Sequence, residues 1–179
     1  MHLLTAIMQK GRAMVGQLLL SLPVVLVIGL SAQIAGQKNK ISDQARTILE
    51  NANQFELLSI GHDPSPNDPR EEFQGWPVIG KTTVSEPNIR KRLVAALEKG
   101  VEENKGDAMK CFNPRHGIRV AREGMTADFL ICFECFQVMV YVTGEKEQRV
   151  LITDSPAPVF NQTLQKAKVP LAREPERKK

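Results

Sequence analysis

The chain has 179 residues, of which 42% are hydrophobic, 5% aromatic and 25% charged; this fits one folded domain with extensions and excludes a large multidomain enzyme, a collagen-like or coiled-coil fibre and a fully disordered chain. The formal charge of +4 arises from 24 Lys+Arg against 20 Asp+Glu. Residues 1–36 hold Lys10, Arg12 and no acid, and the tail adds Arg173, Arg177, Lys178 and Lys179, so the body of the chain is near neutral and lacks the clustered basic face that a nucleic-acid partner requires.

In chain order, the first element is a basic stretch followed by an apolar run from Leu18 to Leu30 (LLLSLPVVLVIGL). Positive charge before a run of about this length fits the h-region of a secretory signal peptide. Extended over residues 13–36, the same segment is long enough to span a bilayer as a single-pass anchor. Both readings stay open, because no clean A-x-A site follows and Lys38 and Lys40 weaken the positive-inside bias. Either one predicts an exported domain, periplasmic or anchored in the cell envelope, with the membrane as a partner through residues 13–36 if the segment is uncleaved. The segment contains no Cys, hence no acceptor for lipoprotein-type lipidation.

After this segment, Ser42 is a plausible N-cap for a short helix with Ala45, Ile48, Leu49 and Ala52 on one side. Phe55 to Ile60 reads as a strand, Gly61 to Arg70 (GHDPSPNDPR) as a surface loop, and Trp76 to Val84 as a second strand. Phe73 and Trp76 beside that loop are either an exposed docking patch or an anchor to the core. Ser85 is expected to cap a helix from Glu86 to about Val101, ended by Gly100 and Gly106, whose Arg90-Lys91-Arg92 cluster reads as a solvated face. Ala108 to Phe112 and Gly117 to Ala121 are short β pieces, Arg122 to Thr126 a hairpin turn, and Asp128 to Thr143 (DFLICFECFQVMVYVT) one long strand buried on both faces for part of its length. A strand at Arg149 to Thr153 and a helix from Pro156 to about Lys168 follow, with residues 172–179 as a charged, disordered tail. The sum predicts a single α+β domain over residues 37–171: two layers, a mostly antiparallel sheet with helices on one face, preceded by the N-terminal apolar helix.

All three cysteines lie between Cys111 and Cys135, with His116 among them. Cys111, His116, Cys132 and Cys135 have the residue types of a zinc set, but a CFEC segment inside a strand points its two sulfurs to opposite faces. A hairpin centred on Glu123 and Gly124 pairs residues whose numbers sum to 247, which brings Cys111 within one position of Cys135 and makes those two a disulfide candidate in an oxidising compartment. The alternatives are a Cys132–Cys135 redox pair and three buried thiols. A polar set, Arg115, His116, Arg119 and Glu134, is embedded in apolar sequence and forms either an internal ion pair or a ligand site. No nucleophile elbow, phosphate loop, HExxH or paired-carboxylate pattern occurs, so no reaction class is indicated and no cofactor beyond zinc is suggested.

The stretches Cys111-Phe112-Asn113-Pro114-Arg115-His116-Gly117-Ile118-Arg119 and Cys132-Phe133-Glu134-Cys135-Phe136-Gln137 resemble a family of uncharacterised exported proteins of planctomycete-type bacteria, loosely from Phe55 to Ala172. The resemblance implies export and a single domain, and carries no activity. Two functions remain. One is a non-catalytic envelope protein binding an unknown protein or small-molecule partner; the other is a small metal- or thiol-dependent enzyme or redox protein built on the cysteine cluster.

Overall fold

A computed structural model of the chain describes residues 39–61 and 71–172. The predicted apolar helix within residues 1–36, the body of the Pro-rich loop and the tail beyond Ala172 lie outside the described residues. In order, the elements are α1 (Asp43–Glu50), β1 (Gln54–Ile60), β2 (Glu72–Phe73), β3 (Trp76–Thr83), α2 (Pro87–Glu103), β4 (His116–Arg122), β5 (Met125–Cys132), β6 (Gln137–Val142), β7 (Gln148–Leu151) and α3 (Ala157–Lys166). The strands form one sheet in the order β2-β3-β1-β4-β5-β6-β7, and every neighbouring pair is antiparallel. This is the expected α+β layering: Ala45 and Ile48 of α1, Leu93 and Leu97 of α2, and Phe160 and Leu164 of α3 share one core with Phe55, Leu57, Ile118, Phe129 and Val138 of the sheet. Among the described residues no helix is long and apolar enough to cross a membrane.

Local chemistry explains the helix ends. Ser42 Oγ accepts from the Ala45 N–H at 3.2 Å, capping α1 as its sequence predicts. The residue capping α2 is Glu86, not Ser85, and it makes no side-chain capping bond; Pro87, whose fixed φ suits the first turn, starts the helix instead. Nor does Gly100 stop α2, which continues to Glu103. A Cβ at Gly100 would meet Pro156 Cγ at 2.6 Å and Ile152 Cγ1 at 2.9 Å, so this glycine serves the close approach of the segment before α3. The Arg90 guanidinium, expected on a solvated face, donates to the carbonyls of Val84 and Ala52.

The largest correction concerns the predicted long strand. Residues 128–143 contain two strands, β5 and β6, joined by a tight turn over Phe133, Glu134, Cys135 and Phe136, with Cys132 opposite Gln137. The Phe136 N–H donates to the Phe133 carbonyl at 3.2 Å and Phe136 adopts a φ of 57°, yet the turn contains no Gly, Pro or Asn that would announce it. The β4–β5 hairpin turns at Glu123 and Gly124 in the predicted register, Arg122 opposite Met125. Ala108 to Phe112, expected as a strand, belongs to an irregular segment over residues 104–115. It is held along the sheet by Met109 N–H to the Cys135 carbonyl and Arg115 N–H to the Ile131 carbonyl, both at 3.1 Å.

The sheet face away from the helices has a smaller core of Leu58, Ile60, Phe73, Val78 and Leu130, with Trp76, Phe112, Met139 and Tyr141 packed around it. Phe73 is fully buried, so it anchors the β2–β3 ribbon rather than offering a docking patch. Because both faces are covered, β5 is buried from Ala127 to Cys132, the paired Asp128 included, as the apolar run from Phe129 to Cys132 predicts.

Candidate functional site

Strand alternation sorts the predicted site residues onto different faces. His116 and its cross-strand partner Ile131 face the helix layer, where the His116 ring packs against Phe133 and Phe160 at 5.1 and 5.9 Å. Arg119 is odd-numbered on the same strand and faces the other side. Its guanidinium sits 5.0 Å over the Phe73 ring and makes two bonds to Asp128, at 3.0 and 2.8 Å, with Gln74 donating to the same carboxylate at 2.8 Å. Arg119 therefore does not reach Glu134 and does not belong to the polar set. Arg115 does: its Nη2 lies 3.2 Å from Glu134 Oε2. Glu134 escapes the apolar environment expected for it because it occupies the tight turn, with half of its side chain exposed.

Around Arg115, His116 and Glu134 a cleft of about 420 Å³ opens, completed by Asn113, Asp154 and Asn161 and walled by Phe133, Phe136, Ala157 and Leu171. His116 Nε2 is 2.7 Å from Asn161 Oδ1. With the amide so oriented, the imidazole proton is on Nε2 and donated to Asn161, leaving Nδ1 as a lone-pair acceptor. Burial, aided by the nearby Arg115 charge and opposed by the Asn161 bond, depresses the His116 pKa from 6.5 to about 4, so the ring is neutral at physiological pH. Two atoms of the cleft residues, His116 Nδ1 and Asn113 Oδ1, are buried without a hydrogen-bond partner. Each such orphan costs about 1–3 kcal/mol until it is met by a donor.

Asn113 lies in the motif around His116 but was not among the predicted site residues, because an Asn before Pro114 reads as a turn residue. Asn161 and Asp154 were missed for a different reason: they come from α3 and the segment before it, more than 35 residues further along the chain, and only the tertiary fold places them beside β4.

The cysteines depart from the predicted pairing. The disulfide joins Cys132 to Cys135, not Cys111 to Cys135, and Cys111 is a free, exposed thiol. The reason is the unpredicted turn, which brings the Cα atoms of Cys132 and Cys135 to 5.2 Å, a bridgeable separation. The expected neighbourhood is nonetheless present, with Cys111 Sγ 3.5 Å from Cys135 Sγ. His116 is committed to Asn161 on the helix-facing side, and among the described residues no group of three or more His, Cys, Asp or Glu side chains is arranged to hold a metal ion. The residues thus do not assemble the zinc set in this disulfide-bonded state.

No protein-family model and no curated protein matches the chain. A solved structure from Clostridium perfringens, provisionally described as a lipoprotein, is similar over 69% of this chain and 88% of that one, at 10% identity and a TM-score of 0.38. That likeness is too distant to bear on fold or function.

Proposed function

We propose that the protein is an exported or membrane-anchored envelope protein whose folded domain is a non-catalytic binding module, taking a small uncharged ligand that carries hydroxyl or amide donors. One observation carries this reading: the cleft residues include two buried acceptors, His116 Nδ1 and Asn113 Oδ1, without partners. A ligand donor that reaches either atom, once a neighbouring side chain moves aside to uncover it, offsets a desolvation cost already incurred in the folded protein, and the aromatic walls favour an apolar portion of the ligand. Arg115 and Glu134 neutralise each other and Asp154 adds a negative charge to the lining, which disfavours an anionic ligand. Export follows from the basic-then-apolar order of residues 1–36.

The test is a thermal-shift screen of the full-length protein against hydroxyl- and amide-bearing fragments, paired with the His116→Gln and Asn113→Ala variants. Hits are expected to stabilise the wild type and to lose their effect in both variants. Hits that stabilise all three proteins equally place binding elsewhere and refute the cleft as the site. Fractionation of the native host separately checks export: protein in the envelope fraction agrees with it, and protein confined to the cytoplasm refutes it.

A further inference from the structure

We infer that the three cysteines form a thiol–disulfide exchange site in which Cys135 is the shared central sulfur and Cys111 the solvent-accessible nucleophile. Cys111 Sγ stands 3.5 Å from Cys135 Sγ, a sulfur already bonded to Cys132. Cys132 and Cys135 are each about 1% exposed, while Cys111 is open to solvent. Any external thiol or disulfide of low molecular weight therefore meets Cys111 first.

This proximity is built by the chain around it. Met109, two residues before Cys111, donates its N–H to the Cys135 carbonyl at 3.1 Å, and Asn113, two residues after it, donates its N–H to Cys135 Sγ at 3.3 Å. The Gln137 side-chain amide reaches the carbonyl of Met109 and, at 3.4 Å, that of Cys111. The segment is thus tied on both sides of Cys111 to the turn that holds the disulfide.

The step balances without an added oxidant or reductant. The Cys111 thiol loses its proton to solvent; the thiolate attacks Cys135 Sγ, forming a Cys111–Cys135 bond, while the Cys135–Cys132 bond breaks and its electron pair leaves on Cys132. The departing Cys132 sulfur already accepts the Cys135 N–H at 3.1 Å, which favours its thiolate, and it regains a proton from solvent. The two isomers differ in what they fasten. A Cys132–Cys135 bond closes a turn already fixed by its own backbone bond, whereas a Cys111–Cys135 bond staples segment 104–115 to the sheet and removes the exposed thiol. The shallow groove along that segment, lined by Trp76, Phe112, Met139 and Tyr141, gains a covalent tie in one isomer and is held by hydrogen bonds alone in the other. The inference does not depend on the cleft around His116.

The experiment uses the purified full-length chain, held overnight near pH 8 with a trace of reduced glutathione, quenched in acid, digested with pepsin and mapped by mass spectrometry. Peptides linked through Cys111–Cys135 are expected beside those linked through Cys132–Cys135, and their complete loss is expected in Cys111→Ser. A wild type that yields Cys132–Cys135 peptides alone overturns the inference. In Cys132→Ala, checked for folding by circular dichroism, oxidised glutathione should take the count of free thiols from two to none by forming the Cys111–Cys135 bridge; two glutathione adducts in place of a bridge also overturn it.

Discussion

Acidification should destabilise this protein through His116, and the size of the effect follows from its burial. In the unfolded chain the imidazole titrates near 6.5, whereas in the folded protein burial holds it at about 4. Between those values the unfolded chain binds a proton that the folded one refuses. Stability from the neutral ring is therefore complete above about pH 6.5, is lost progressively as the pH falls toward 4, and changes no further below that. At 1.36 kcal/mol per unit, the depression from 6.5 to about 4 amounts to about 3 kcal/mol. The assay is urea unfolding of the wild type and His116→Gln at several pH values from about 4 to 8, read as the difference between the two stabilities. Contributions common to both proteins cancel in that difference. The wild-type advantage should shrink by about 3 kcal/mol across that window; parallel stability curves would refute the assignment of a buried neutral imidazole.

Three further outcomes are expected. Gly117→Ala places a Cβ 2.7 Å from Phe73 Cε1 and 3.4 Å from Ile60 Cδ1, so denaturant unfolding should show a loss of about 1–3 kcal/mol by overpacking. Asp128→Ala leaves the Arg119 guanidinium and the Gln74 amide without their shared acceptor; because Arg119 is about one-third exposed, the loss should be about 2 kcal/mol, with Asp128→Asn milder. Ser42→Ala removes the bond to the Ala45 N–H and should lower stability by about 1 kcal/mol in thermal unfolding, whereas Ser85→Ala, at a position that caps nothing here, should be near neutral.

What was readable in the sequence was whatever depends on period and on strong local signals. The 3.6-residue stripe of α2, the Ser42 cap and the Glu123-Gly124 turn each declare themselves within a few residues, and the register of the β4–β5 hairpin follows from that turn alone. The β5–β6 turn does not declare itself, because Phe133-Glu134-Cys135-Phe136 has strand-like composition and Phe136 accepts a left-handed backbone that such a residue rarely takes. That one hidden turn misplaced the disulfide partner and the environment of Glu134. The site was half legible for a similar reason. Arg115 and His116 are adjacent and Glu134 interrupts an apolar run, but the assignment of Arg119 to Asp128 rather than Glu134 is decided by strand alternation, and Asn161 arrives from a helix 45 residues away.

The central claim is that the cleft over β4 binds a small neutral donor, and its most direct measurement is an amide-resolved NMR titration of the full-length protein with the best fragment from the thermal-shift screen. Saturable shifts should concentrate on Asn113, Arg115, His116, Phe133 and Asn161, with the His116 ring nitrogens moving as Nδ1 accepts a hydrogen bond. Shifts centred on other residues, or a His116 Nδ1 signal unchanged at saturation, would contradict it.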